Sequence, residues 1–455
     1  MINQTNHYFF IGIAGTGMSA LAQYLKGIGK SVSGSDRFFK EGEYNEIREK
    51  LEALGIRCFA QNGEGIGRDI QCVVVSTAIE ETVPEVLKTR QLKIPILKRS
   101  ELLAEIASTK KTIAIGGTSG KSTTSAMLYD ILKHAGMEPS IISGAGLVSI
   151  IKEGKIGNAA VGNGEWLVIE ADESDGSIVQ YQASIGVLLN VDKDHKEIEV
   201  LMEVFSTFRQ NSDHFIVNRS HHLAASLSTD IKNDFSVEII PGIGYTATHF
   251  EQEGLNIRFM INGIPFSMHT VGRHNMENAL AAVATAHQVG VPLEKAAVAL
   301  ENYEGIYRRH QVLGQKNGVW LIDDFAHNPV KCARSIEACQ PLADKVIAWL
   351  QPHGYAPTKF LRSDFVAEIA AVLRPQDEIW MSEIFYAGGT AIKDISAADL
   401  VFDLQKLGIN AFFVENRDEL IDNLRPHFTK NCVLLLMGAR DPSLEEFATK
   451  TWQKL

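Results

Sequence analysis

Lys121 and the hydroxyl residues Ser122, Thr123 and Thr124 close a glycine-rich run, Gly116-Gly117-Thr118-Ser119-Gly120. Those residue types in that order suit a polyphosphate. Backbone N–H groups and a helix N-terminus can face the anion, the lysine can reach the β- and γ-phosphates, and the serine hydroxyl can sit on Mg²⁺. Gly117, Thr118, Gly120, Lys121, Ser122 and Thr123 are therefore the expected contacts of ATP. The run departs from a strict Walker A loop, since Ile115 occupies the place of that pattern's first glycine, and reads as a tighter G-T-x-G-K-S-T-T. Gly-Ser-Thr clusters also make ordinary turns. Here, however, the run lies between an apolar β-branched stretch, Thr112-Ile113-Ala114-Ile115, and an amphipathic one, Ser125 to His134. Strand, loop, helix is the order that a phosphate site needs.

Glu170 and His195 are of metal-ligating type, and each stands just past an apolar run, Trp166-Leu167-Val168-Ile169 and Ile185-Gly186-Val187-Leu188-Leu189. In open α/β sheets the ligand crevice lies outside the carboxyl ends of the strands. Ser122, Glu170 and His195 are thus expected to converge on a divalent cation beside the phosphates. Mg²⁺ is the expected ion, and the imidazole makes Mn²⁺ an acceptable substitute. Taken singly, a strand-end glutamate is more often a solvated carboxylate and a lone Asp-His pair more often structural; the edge shared with the phosphate loop reverses both.

Two further constellations are less specific. Gly12-Ile13-Ala14-Gly15-Thr16-Gly17 follows the apolar run from Tyr8 and nearly matches a dinucleotide fingerprint, with Ala14 at its second glycine. Asp36 lies about 20 residues on, where an acid grips a ribose. This pattern suits NAD or any nucleoside diphosphate, and leaves open an NAD-dependent oxidoreductase. Near the other end, Asp323-Asp324-Phe325-Ala326-His327-Asn328-Pro329 follows an apolar strand, and Asp324 could accept from a ribose hydroxyl. Arg308-Arg309 just upstream could bring a guanidinium to the phosphates. Gln351-Pro352-His353-Gly354-Tyr355 follows another strand and could line a substrate pocket.

The elements that position these residues alternate strand and helix nearly throughout, the pattern of parallel sheets with crossover helices. The expected fold is α/β in three domains. The first, 1–108, is Rossmann-like and ends at the polar linker Ser108-Thr109-Lys110-Lys111. The second, 109–305, is a P-loop ATPase-like domain with strands and turns inserted between about 235 and 270. The third, 306–455, is Rossmann-like α/β. A net charge of −11, from 44 basic and 55 acidic residues, leaves no electrostatic footprint for nucleic acid. The five cysteines include no C-x-x-C pair and are expected as buried thiols. The N-terminus has no basic region and its first apolar run is too short to target or span a membrane, so a cytoplasmic protein with no membrane partner is expected.

In this order the motifs resemble the Mur ligase family of ATP-dependent peptidoglycan-precursor ligases, over nearly the whole chain. Gly117 to Thr123 matches the family's G-T-x-G-K-[ST]-[ST], and Glu170 to Asp175 its carboxylate strand. Asn190 to His195 matches N-x-x-x-D-H; Gly272-Arg273-His274-Asn275 with Asn278 matches G-x-H-N-x-x-N; Asp324 to Pro329 matches D-[YF]-A-H-x-P. The resemblance implies amide formation between UDP-N-acetylmuramate and an amine through an acyl phosphate. Gly12 to Leu21 and Gln351-Pro352-His353 are similar to the branch that adds L-alanine. Asp323 to His327 looks as much like the branch that joins an L-Ala-γ-D-Glu-diaminopimelate tripeptide. Ser119 stands where both branches usually have histidine. Gly354 stands where the alanine-adding branch usually has arginine, and Lys196-Glu197 follow His195 where an apolar residue and aspartate are usual; these last two leave the acceptor open. The resemblance further implies that Gly15, Gly17, Met18, Ser19, Asp36 and Ser76 contact the UDP-sugar and His353 the substrate. Asn275, Arg308, Asp324 and His327 would contact ATP, while Lys121, Glu170, His195 and Arg309 would carry the chemistry. A UDP-sugar-binding protein without turnover is the remaining alternative, against which the retention of Lys121, Ser122, Glu170 and His195 together argues.

Overall fold

A computed structural model describes residue 2 and residues 4–174, 176–192, 197–386 and 392–455. The chain forms two compact units. One comprises Met1–Thr248, Ile261–Phe266 and Glu277–Tyr307; the other comprises His249–Met260, Ser267–Met276 and Arg308–Leu455.

The first unit contains a parallel sheet with strand order Arg57–Ala60, Ser31–Asp36, His7–Ile11, Cys72–Val75, Ile96–Lys98. Its middle strand is apolar on both faces, with Tyr8, Phe9, Phe10 and Ile11 all buried, as a parallel strand covered by helices on both sides must be. The connections leave this strand first to one side and then to the other, so a ligand crevice opens at its carboxyl end. Gly12 turns the chain there with φ +78°, and the helix Thr16–Gly27 starts immediately after the loop, with Gly15 as its N-cap.

A second sheet of the same unit runs Ser212–Val217, Ala183–Leu188, Lys111–Gly116, Trp166–Glu170, Ser140–Ile142, Ala159–Ala160, all parallel except the last pair. Lys111–Gly116 is flanked by the strand that ends in Glu170 and by the one that leads to Asn190, which is why these residues border its loop. The following helix spans Lys121–His134. It begins four residues before the amphipathic stretch because Gly120, at φ +85°, turns the chain sharply into it. Asn158 ties the two sheets into one body: its Nδ2 donates to Thr16 O at 2.7 Å and to Ser19 Oγ at 2.9 Å, and its Oδ1 accepts from Gln23 Nε2 at 2.7 Å. Between about 235 and 270 the expected strands are Phe235–Ser236, Tyr245–Glu253, Asn256–Ile261 and Ile264–Met268.

The second unit holds a sheet ordered Gln311–Lys316, Val319–Asp324, Cys432–Gly438, Lys345–Gln351, Glu378–Met381, Ala411–Phe413. The first pair is antiparallel and the rest parallel. Cys432–Gly438 is buried along its whole length. All the cysteines are free thiols, Cys72, Cys332, Cys339 and Cys432 buried and Cys58 half-buried. Among the described residues no helix is long and apolar enough to cross a membrane.

Candidate active site

The phosphate loop is held in shape mainly by one side chain. Asn190 Oδ1 accepts from Ser119 N at 2.8 Å and from Thr118 Oγ1 at 2.9 Å, while its Nδ2 donates to Ser119 O at 3.1 Å. Thr118 Oγ1 in turn accepts from Asp192 N at 2.9 Å, and Asp192 Oδ1 lies 3.2 Å from His221 Nε2. Thr118 is thereby a brace of the loop, with its hydroxyl turned to Asn190 and Asp192. Glycine is required at position 120 on two counts: its φ is positive, and a Cβ there would lie 2.4 Å from Asn278 Oδ1.

Lys121 Nζ donates to Gly117 O at 2.7 Å and to Glu173 Oε2 at 2.7 Å. Burial alone would favour the neutral amine, but the charges of Glu173 and Asp172 outweigh it and hold the ammonium above its ordinary pKa. Burial and the neighbouring Asp172 raise Glu173, against the pull of Lys121. Beside this pair, Ser122 Oγ donates to Glu170 Oε2 at 2.9 Å. The other carboxylate oxygen accepts from Ser143 Oγ and from Gly144 N, both at 2.7 Å. A hydroxyl and an oriented carboxylate side by side are the hard oxygen donors that Mg²⁺ takes. The structure brings Ser122 and Glu170 together as expected; His195 lies outside the described residues.

At the first sheet, Asp36 closes the glycine turn. Its Oδ2 accepts from Ala14 N at 2.9 Å and its Oδ1 from Phe38 N at 3.0 Å. Met18 and Ser19 pack inward, Ser19 donating to Thr16 O at 3.0 Å and accepting from Asn158. Ser76 follows the strand Cys72–Val75 at the same edge as the turn. A cation the sequence did not single out stands there too: a Cβ on Gly17 would lie 3.1 Å from Arg99 Nη1. Arg99 opens the helix Arg99–Ala107 directly after the strand Ile96–Lys98, a position at the ligand edge that the strand–helix reading already contained. Its charge also helps hold Asp172 below its ordinary value, after the larger opposing effect of burial and the pull of Lys121 and Ser174.

In the second unit the arginine pair divides. Arg308 is 7% exposed; its Nε donates to Asp323 Oδ2 at 2.8 Å and its Nη2 to Gly438 O at 3.1 Å. The guanidinium of Arg309 lies 4.7 Å from the centre of the Phe325 ring. Asp324 accepts from Ser335 Oγ at 2.7 Å and from His310 N at 3.2 Å. Burial opposes its charge, but His310, Ser335 and Arg309 hold it below the ordinary carboxylate value. His327 Nδ1 donates to Phe325 O at 2.7 Å, and burial keeps the ring neutral, well below its ordinary pKa. His353 lies 5.3 Å from it, ring to ring. Asn328 caps the helix Pro329–Cys339 by accepting from Lys331 N at 2.9 Å, which accounts for Asn-Pro at this point. Asn275 Nδ2 donates to Val271 O at 2.8 Å and Thr270 Oγ1 at 3.0 Å.

Known proteins resemble this chain over nearly its whole length. Family models match in order: "Mur ligase family, catalytic domain" over residues 7–111, "Mur ligase middle domain" over 115–286, and "Mur ligase, glutamate ligase domain" over 308–440. The UDP-N-acetylmuramate–L-alanine ligase of Carboxydothermus hydrogenoformans is 33% identical over 446 residues, 94% of this chain and 93% of its own. That of Syntrophomonas wolfei is 32% identical over 455 residues, 95% and 94% respectively. The crystal structure of UDP-N-acetylmuramate-alanine ligase MurC from Thermotoga maritima matches with a TM-score of 0.79 at 25% identity, over 98% of both chains. A murein peptide ligase from Psychrobacter arcticus shares the fold, with a TM-score of 0.67 at 19% identity over 98% of both. With the phosphate loop, the Ser122–Glu170 pair and relatives matched from end to end, this chain belongs to the Mur ligase family.

Proposed function

We propose that this chain joins the amine of L-alanine to the lactyl carboxylate of UDP-N-acetylmuramate at the expense of ATP. The observation that carries the reading is the Ser122–Glu170 pair beside the half-buried ammonium of Lys121, in a chain whose full-length relatives bear that activity in their names.

In this reading the Gly12 turn and the N-terminus of Thr16–Gly27, with Gly15, Gly17 and Arg99, receive the diphosphate of the UDP-sugar. Gly120, Lys121 and Thr123 receive ATP, on the loop that Thr118 braces from within. Ser122 and Glu170, with His195 as the further expected ligand, would hold Mg²⁺ or Mn²⁺, whose chemistry there is to neutralise phosphate charge. The γ-phosphorus–oxygen bond to ADP breaks as a lactyl carboxylate oxygen bonds to phosphorus, giving an acyl phosphate. Lys121 counters the charge that spreads over the transferred group. We assign Arg309, whose guanidinium lies over the Phe325 ring, to the same charge. The amine then attacks the acyl carbon, the C–N bond forms, a proton leaves the nitrogen, and phosphate departs with the C–O electron pair. Its two nucleotide substrates are cytoplasmic pools, and we place the protein there.

Phosphate release by the purified protein with ATP, Mg²⁺ and UDP-N-acetylmuramate tests this, with L-alanine, L-serine, glycine and the L-Ala-γ-D-Glu-diaminopimelate tripeptide added separately. Release with L-alanine is the expected result. Release with the tripeptide alone moves the enzyme to peptide recycling, and failure to release phosphate with any of these amines overturns the substrate assignment.

A further inference from the structure

Three strand ends of the second unit come level at one edge. Cys432–Gly438 lies between Val319–Asp324 and Lys345–Gln351, with Asp324 opposite Met437 and Gln351 opposite Gly438. The segments that leave this edge are 325–328, carrying His327; 352–355, carrying His353; and, between them, 439–443. In an open parallel sheet this is where a ligand binds.

The middle segment is strained at one residue. Arg440 has φ +68°, and Asp441 N donates to Ala439 O at 2.9 Å, closing a three-residue turn around it. A γ-turn of that hand is rare and strained for any residue with a side chain. Glycine would relieve it, yet the position carries arginine. The flanks fix the turn from both sides. Gly438 O accepts from Arg308 Nη2 at 3.1 Å, and Asp441 Oδ2 accepts from Arg417 at 2.5 Å, while Oδ1 of the same carboxylate accepts from Ser443 N at 2.9 Å. Strain that the surroundings impose on a side chain collects where that side chain has a task.

Several cations of this unit are engaged, whereas Arg440 is not. Arg308 is paired with Asp323, Arg417 with Asp441 and Lys359 with Asp394; Lys393 lies over the Tyr386 ring. Arg440 is exposed and makes no hydrogen bond, ion pair or ring contact among the described residues. An amino acid or peptide acceptor carries a carboxylate that must be oriented so that its amine faces the acyl group, and a guanidinium fork matches a carboxylate with two parallel hydrogen bonds.

We propose that Arg440 is the residue that grips the carboxylate of the incoming amine and so sets acceptor specificity; this rests on the ligase reading above. The phosphate-release assay tests it with Arg440→Gly, which suits the positive φ, and with Arg440→Lys. L-alanine is compared with L-alaninamide, or the tripeptide with its carboxamide if that is the acceptor. The expected result for Arg440→Gly is an acceptor KM raised about 10- to 100-fold. The preference for carboxylate over carboxamide should collapse towards one, with the KM values for ATP and UDP-N-acetylmuramate unchanged and Tm equal to or above the parent's. Arg440→Lys should fall between. An active parent whose Arg440→Gly variant keeps its acceptor KM and its discrimination overturns the proposal alone. A parent that releases no phosphate with any amine overturns the ligase reading, and this proposal with it.

Discussion

Replacing Asp130 by asparagine should stabilise the first unit, and more so as the pH rises. Asp130 lies on the phosphate-loop helix Lys121–His134. Burial lifts its pKa from 3.8 to about 7; Lys133 opposes the shift and Glu304 adds to it. The unfolded chain releases this proton near pH 4, whereas the folded one keeps it to about pH 7. Between those values the unfolded state binds fewer protons, so stability falls as pH rises through the window and levels off above it. At about 1.4 kcal/mol per pH unit, the loss between pH 5 and pH 8 comes to at most about 3 kcal/mol. Asp130 is only half-buried, so about 1–3 kcal/mol is the working range. Asparagine keeps the shape and cannot ionise. Scanning calorimetry at both pH values should show the gap in Tm between Asp130→Asn and the parent widening by roughly 3–8 °C from pH 5 to pH 8. A gap that stays constant, or an asparagine variant less stable than the parent at pH 8, would refute the reasoning.

The two adjacent arginines should fail in different ways. Arg308→Ala leaves Asp323 as an unpaired buried carboxylate and should lower stability by about 3–5 kcal/mol, seen as an early thermal transition. Arg309→Ala should melt like the parent and lose on the order of 10²–10³-fold in kcat for phosphate release. Asn190→Ala removes the three hydrogen bonds that the Asn190 side chain makes to Thr118 and Ser119, leaving the Thr118 hydroxyl held by Asp192 alone. It should raise the KM for ATP about tenfold or more while the KM for UDP-N-acetylmuramate stays within twofold.

The strands were legible because parallel strands buried on both faces must be apolar throughout, as Tyr8 to Ile11 and Val433 to Met437 are. The phosphate loop was legible because its chemistry demands glycines and Lys-Ser at one spacing. What the sequence could not reveal is which oxygen or nitrogen each polar side chain finds. Arg308 and Arg309 are the same residue side by side, and only the fold decides that one faces Asp323 and the other Phe325. Ser19 falls within a motif read as substrate-binding, yet its hydroxyl is used up by Thr16 and Asn158, a partner 139 positions away. Glu173 looked like one acid among several in Glu-Ala-Asp-Glu-Ser-Asp until its distance to Lys121 was known. Arg99 had no motif at all; its place depends on strand order, which pairs Ile96–Lys98 with Cys72–Val75 at the end of the sheet.

The contact between Lys121 and Glu173 gives the phosphate loop a resting partner. An ammonium with no carboxylate beside it would attract any small anion, and a cell offers inorganic phosphate in abundance. Here the positive charge is already answered from within, at 2.7 Å, by a carboxylate that is itself buried. An arriving anion must draw the ammonium away from that carboxylate before it can be held. A nucleoside triphosphate with its cation offers more charge and more contacts for the exchange than a lone phosphate does. The carboxylate thus sets a threshold that a polyphosphate is better equipped to cross than a simple anion.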